Sequence, residues 1–363
     1  MSVALWSIPK CSIGLDLGDR TSRTYEVDAE GTRRAEASVA TTRLGLQRYF
    51  GDRTRCRVVL EASTHSPWVS QELTALGHEV IVANPAAMFK RARRRRRRND
   101  ALDAELLARQ GRADPKLLHP VTHRRPIAQQ HLEILKARDQ LVRTRTQLIN
   151  HVRSVVKVSG ARLRATSAAA FVARAATEIP AELRVALQPV VQIITDLNRQ
   201  IREADHEISR LIRDVHPVAQ RLQQPSGVGP ITALAFVLLV DDPTRFHNSR
   251  DVGAYFGLVP RLDESSDSQP QLRISKCGDA LGRRLLVTAA HYILGPFGPD
   301  CDLRRHGQSI AARGGKNAKK RAVVAVARKL AVLLHRLWVS ERPYDPDYVL
   351  TPHSGTPTTP TVS

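Results

Sequence analysis

The chain has 363 residues, 42% of them hydrophobic, which is enough for two or three domains with real cores and excludes a chain that is disordered throughout. Lys and Arg outnumber Asp and Glu by 56 to 35, and a net charge of +21 favours a polyanionic partner. No apolar run approaches the roughly 18 residues of a membrane helix and the N-terminus has no long apolar stretch, so no membrane is expected and the protein reads as soluble and cytoplasmic.

Ser12–Leu17, Thr21–Asp28 and Arg33–Val39, with a turn at Glu30 and Gly31, predict a meander of three strands. A helix follows near Thr42–Phe50. Val58, Val59 and Leu60 then form a short apolar run, the pattern of a strand buried on both faces, which Glu61 ends. A helix over Pro67–Leu76 and a strand over Glu79–Ala83 complete the order of an RNase H-like sheet, with other α/β folds left open.

Asp16 ends the first strand, where an acid is costly to bury unless it binds something. Asp100 and Asp103 stand three apart in a segment of helical propensity, on one face. Two acids on a helix face and one at each of two strand ends are how a fold gathers ligands for Mg²⁺. In so basic a chain, a cation between carboxylates and phosphate would let the acids face a nucleic acid. Asp100 also has a plainer reading, a helix-start acid answered by the basic run before it. That run, Arg93, Arg94, Arg95, Arg96, Arg97 and Arg98, reads as a phosphate-binding stripe without sequence specificity.

From Ile127 to Ile212 the chain reads as a long amphipathic helical hairpin, with Ile134, Leu141, Leu148 and Val155 at heptad spacing and breaks at Ser159-Gly160 and near Pro180. Its uses are self-association, spanning between domains, or packing on the chain's own core. A helical region begins near Pro225. There Gly227 and Gly229, in Pro-Ser-Gly-Val-Gly-Pro, resemble the turn of a helix-hairpin-helix element, and either serve structure or let backbone amides approach a phosphate. Beyond it lies a polar loop with Ser265, Ser266 and Ser268, flanked by Arg261, Arg273 and Lys276; it is a surface loop, or one that sets a hydroxyl beside a clamped phosphate. Cys11, Cys56, Cys277 and Cys301 have no zinc or C-x-x-C spacing. The Pro/Thr/Ser-rich end predicts disorder.

Gly-Leu-Asp16, Val-Leu-Glu61-Ala-Ser, Asn-Asp100-Ala-Leu-Asp103-Ala, Asp251-Val-Gly-Ala-Tyr-Phe-Gly-Leu-Val-Pro-Arg261 and Arg273-Ile-Ser-Lys276-Cys-Gly-Asp279 resemble the insertion-sequence-110 family of transposases, the DEDD or bridge-RNA-guided recombinases. The resemblance covers residues 10 to 340 and implies a RuvC-like domain at 8–125, a coiled-coil arm at 126–218, a transposase domain at 219–345 and a disordered tail at 346–363. It implies that Asp16, Glu61, Asp100 and Asp103 hold Mg²⁺. Ser265 matches the family's nucleophilic serine, with Ser266 where the family has glycine and Ser266 and Ser268 as rivals. It further implies donor and target double-stranded DNA, a guide RNA, and a dimer or tetramer. The other enzymatic reading is a metal-dependent RuvC-like junction endonuclease that uses the same acids with water as nucleophile.

Overall fold

The computed structural model describes residues 9–85, 100–261 and 272–347, and of Asp100 the backbone alone. The chain forms two compact units, one ending at His123 and one beginning at Arg124.

In the first unit, β1 (Cys11–Asp16), β2 (Thr21–Asp28) and β3 (Arg33–Ala40) pair antiparallel. Strands β4 (Arg57–Glu61) and β5 (Glu79–Ala83) add in parallel, giving the order β3-β2-β1-β4-β5. This mixed α/β sheet is consistent with the RNase H-like arrangement that the strand order suggests. Helices α1 (Arg43–Phe50) and α2 (Ser66–Ala75) cover one face, and α3 (Asp100–Ala113) lies on the other. Thr42 starts α1 by accepting a hydrogen bond from the Gly45 amide at 3.0 Å.

Side chains alternate along a strand, and that alternation sorts the two cores. Ile13, Leu15, Val58 and Leu60 join Leu46, Phe50, Val69 and Leu73 on the α1/α2 side. Val59, Ile81 and Ala83 meet Leu107 on the α3 side. All of Val58, Val59 and Leu60 are fully buried, as expected of a strand covered on both faces. The α3 face admits the helix backbone itself, because a Cβ at Gly14 would fall 1.9 Å from the Ala104 carbonyl oxygen. Ser12 Oγ donates to the Ala108 carbonyl at 3.0 Å. Since Ala104 sits over Gly14 and Ala108 over Ser12, α3 runs antiparallel to β1.

In the second unit, α4 (Pro126–Val158) and α6 (Ala181–Asp214) are each about 50 Å long at 1.5 Å per residue, and α5 (Phe171–Glu178) packs with their far ends. The heptad spacing is present, but the buried seam lies one residue later than predicted. Ala128, Leu135, Ile149 and Val156 are buried, while Ile134, Leu141, Leu148 and Val155 are half-buried flanks. One residue is a 100° rotation about a helix, so both series share the seven-residue period, the later one being the more deeply buried and the earlier one packing at its edge. Midway the seam turns polar: Arg138 donates to Asp205 and Arg145 to Asn198 Oδ1 at 2.8 Å.

The arm's base joins the C-terminal core. Ala128, Leu132, Leu135, Ile208 and Leu211 belong to the same cluster as α8 (Pro230–Val240), which is buried from Thr232 onward and follows the short α7 (Val218–Arg221). The boundary expected at residues 218 and 219 therefore falls inside one compact unit. Helices α9 (Asp251–Tyr255), α10 (Ala280–Leu294), α11 (Asp302–Ala312) and α12 (Ala318–Ser340) complete it. At the start of the expected tail, Pro346 accepts from the Asp302 amide at 2.9 Å and Asp347 pairs with Arg305. Residues from 348 onward lie outside the described residues. Among the described residues no helix is long and apolar enough to cross a membrane.

Candidate functional site

Two of the four predicted carboxylate positions share a rung and a face by the geometry of the sheet. Leu15 and Leu60 are register partners in the parallel pair β1/β4, so Asp16 and Glu61 occupy the next rung. Two-residue alternation places both on the face of Ser12, Gly14 and Val59, the one α3 covers. From Ala104 back to Asp100, α3 climbs about 6 Å; from Gly14 to Asp16, β1 climbs roughly 6.6 Å. The first turn of the helix is thus level with the ends of the strands. Asp103 lies one turn before Leu107, whose packing on Val59 and Ile81 sets that stripe over β4 and β5, on the Glu61 side. Asp16, Glu61 and Asp103 are each half-buried.

Carboxylate oxygens are hard donors, which suit Mg²⁺ and similar ions and fit the group that the sequence suggested. Among the described residues no group of three or more His, Cys, Asp or Glu is arranged as a metal cage. Asp16, Glu61 and Asp103 alone therefore do not make one, and the Asp100 side chain lies outside the described residues.

At the same end of the sheet stands a pair that sequence reading missed. His65 Nδ1 accepts from the Trp68 indole at 3.2 Å, which leaves Nε2 to carry the proton toward Asp19 Oδ1 at 3.4 Å. Asp19 follows Asp16 by three residues and His65 follows Glu61 by four. A polar residue three or four positions beyond each strand end was the available signal.

In the second unit, the two C-terminal motifs form a clasp. Gly257 has φ +66°, and a Cβ there would lie 2.3 Å from the Cys277 carbonyl oxygen; reciprocally, Gly278 has φ +74° and touches the Tyr255 carbonyl. Lys276 donates its amide to the Gly257 carbonyl at 3.1 Å and takes φ +56°, a conformation that a non-glycine residue adopts under constraint. Arg283 Nη1 donates to the Cys277 carbonyl at 3.0 Å and to that of Phe256 at 3.3 Å. Above the clasp, Pro260 and Ile274 form an antiparallel bridge, Ser275 donates its amide to Val259 at 2.8 Å, and Arg261 donates its amide to Arg273 at 3.0 Å. This stem carries the segment containing Ser265, Ser266 and Ser268, which lie outside the described residues, as do Arg93, Arg94, Arg95, Arg96, Arg97 and Arg98.

Of the remaining predicted positions, Arg273 and Lys276 line a groove of about 1230 Å³ along α12, and Arg261 is exposed at the end of the stem. Gly227, with φ +84°, lies so close to α10 that a Cβ would stand 2.9 Å from the Ala289 carbonyl oxygen. Close packing accounts for that glycine. Gly229 is exposed as the residue that precedes α8.

Residues 13–159 match a family model described as a transposase, and residues 219–299 match one described as the transposase IS116/IS110/IS902 family. The chain is 31% identical over 257 residues, 68% of its own length and 68% of the relative's, to the transposase for insertion sequence element IS1111A of Coxiella burnetii. It belongs to the IS110 family of transposases. Over 344 residues, 92% of this chain and 98% of the relative, it is 29% identical to a Pseudomonas aeruginosa protein described as a probable family 20 transposase. A shorter likeness, 26% over 149 residues and 40% of the chain, joins it to the pilin gene-inverting protein of Moraxella lacunata, of which it covers 45%. Family membership makes this IS110 chain a DNA transposase, and the first matched stretch contains every one of the four predicted carboxylates.

Proposed function

We propose that this IS110 transposase excises and inserts its element by serine attack on a DNA phosphodiester, with an RNase H-like domain supplying the carboxylates. The observation that carries the reading is the placement of Asp16 and Glu61 on one rung and one face, level with the start of α3. Asp16, Glu61, Asp100 and Asp103 hold Mg²⁺, which when bound stabilises charge on the phosphate as a Lewis acid.

Ser265 Oγ attacks phosphorus; one P–O ester bond to a deoxyribose oxygen breaks, and a phosphoserine ester forms in its place. The serine proton passes to a carboxylate of the first unit, and the departing deoxyribose oxygen takes up a proton as a hydroxyl. Attack by a second DNA hydroxyl reverses these steps on a new strand, so the energy of the broken bond is conserved and no nucleotide triphosphate is consumed. The reaction requires acids and serine at one phosphate, which a dimer or higher oligomer supplies. A guide RNA that pairs with donor and target DNA gives sequence choice, and the arginine run at residues 93–98 with Arg261, Arg273 and Lys276 holds phosphates without reading bases.

The test is strand exchange on a plasmid carrying the element's two ends. Asp16→Asn and Ser265→Ala each abolish exchange while DNA affinity persists, and RNA co-purifies with the wild-type protein. Cleavage that survives Ser265→Ala identifies a junction endonuclease with water as nucleophile. Unchanged activity in Asp16→Asn removes the carboxylates from the chemistry.

A further inference from the structure

The groove along α12 has a composition that neither the carboxylate site nor the clasp explains. Among the described residues its walls carry nine Lys and Arg against two Asp. Lys320, Arg321, Arg328 and Lys329 come from α12, a helix that lies beyond both stretches matched by the family models. Arg273 and Lys276 come from the stem and clasp opposite. None of these six forms an ion pair with a carboxylate among the described residues. Like charges gathered without counter-ions repel until a polyanion arrives.

The sequence of α12 spaces these charges in register. Positions 320/321, 324/325, 328/329, 332/333 and 336 fall three and four apart, hence on one helix face. Along that face cationic pairs alternate with the apolar pairs Val324/Ala325 and Val332/Leu333, each a turn from the next. The basic residues are exposed and the apolar ones half-buried, so cations rim a floor of aliphatic side chains. Arg328 is held in place, because its aliphatic stem crosses Gly253 so closely that a Cβ there would meet Cγ at 2.8 Å. A plain electrostatic surface for duplex DNA needs charge and no recessed apolar floor, whereas an unpaired strand presents phosphates to a rim and bases to a floor.

We infer that the α12 groove seats a short unpaired phosphodiester strand, its phosphates on Arg321, Arg328 and Lys329 and its bases against Val324, Val332 and Leu333. An acidic amphipathic peptide would match the same charge, but the chain's family acts on DNA and the stem bearing its serine segment opens onto this groove. The inference takes from the proposed function only that nucleic acid is the polyanion. Binding to the groove is measurable whether or not Ser265 is the nucleophile.

The experiment is fluorescence anisotropy on the full-length protein with labelled oligo-dT, oligo-rU and a blunt duplex over a range of salt. Replacing Arg321, Arg328 and Lys329 together by Ala weakens binding of the unpaired strand at least about tenfold and lowers the slope of log affinity against log salt by about 2, at about 0.7 per phosphate released. Duplex affinity changes much less, and whichever of dT and rU responds more names the strand as DNA or RNA. Val332→Gln weakens strand binding and leaves the salt slope unchanged, and Arg328→Lys retains the slope. Circular dichroism melting of each variant confirms that the exposed substitutions leave the fold intact. Unchanged strand affinity and slope in the triple variant overturn the inference. So does an equal loss on strand and duplex, or an acidic helical peptide that displaces the strand and binds more tightly. Strand binding that persists in Ser265→Ala while exchange is lost separates this groove from the fate of the serine mechanism.

Discussion

Asp16 and Glu61 end neighbouring parallel strands on one rung and one face, with the first turn of α3 level above them. In the proposed mechanism the two acids serve the chemistry by sharing a cation. Asp16→Asn and Glu61→Gln are each expected to slow DNA cleavage by about a hundredfold or more while thermal stability holds or rises. Cleavage rate and melting temperature, measured on the same preparations, separate that outcome from simple misfolding, which would lower both.

Gly14 sets the distance between α3 and the sheet. A methyl group there must displace the Ala104 carbonyl, 1.9 Å away, so Gly14→Ala pushes off the helix that bears Asp100 and Asp103. Overpacking of this kind costs about 1–3 kcal/mol. The expected result is a lower melting temperature together with a loss of cleavage out of proportion to the fraction unfolded, read by parallel calorimetry and activity at a temperature where the variant remains folded.

The polar middle of the arm lowers its stability. Burial first, then the nearby Arg138, press the Arg145 guanidinium below its ordinary pKa, and among the described residues its Nε has no hydrogen-bond partner. Replacing Arg145 and Asn198 together by Leu is expected to be neutral or to stabilise by about 1–3 kcal/mol, whereas Asn198→Ala alone destabilises. Denaturant unfolding of the two variants checks the sign.

His216 makes the second unit sensitive to acid. Its ring meets His131 Nδ1 at 2.9 Å, and burial, then His131 and Arg125, lower its pKa against the opposing pull of Asp241. A histidine whose folded pKa is depressed is protonated first in the unfolded chain, so its contribution is whole above the ordinary imidazole pKa of about 6.5 and declines as pH falls below it. Melting temperatures from pH 8 to pH 5 are expected to fall over the acid half of that range in the wild type and to fall less in His216→Gln.

Much of the first unit was legible because strand alternation and buried apolar runs are local signals. Ile13 and Leu15 against Ser12 and Gly14 define two faces, and Val58–Leu60 announce a strand covered on both. The depth at which α3 lies was not legible, since nothing local in Gly14 tells a close helix approach from a turn. In the arm the period was legible and the seam was not: Ile134, Leu141, Leu148 and Val155 share the heptad with the buried series one residue on, and only the partner helix decides between them. Gly257 and Gly278 lie within the two C-terminal motifs, but that each makes room for the other's strand of backbone is a long-range fact. The α12 groove escaped notice because its cations are scattered along the chain and meet only on one helix face. The Asp19–His65 pair escaped because neither residue is unusual alone.

In the proposed mechanism a serine between Arg261 and Arg273 becomes covalently joined to DNA at a phosphate that Asp16 and Glu61 would reach through a shared cation. Trapping the protein on a nicked suicide substrate with Mg²⁺, digesting it and sequencing the peptides by mass spectrometry tests that claim most directly. The expected result is a nucleotide adduct on Ser265, absent from Ser265→Ala and from Asp16→Asn. Cleaved DNA with free ends and no protein adduct, produced equally by Ser265→Ala, would contradict it.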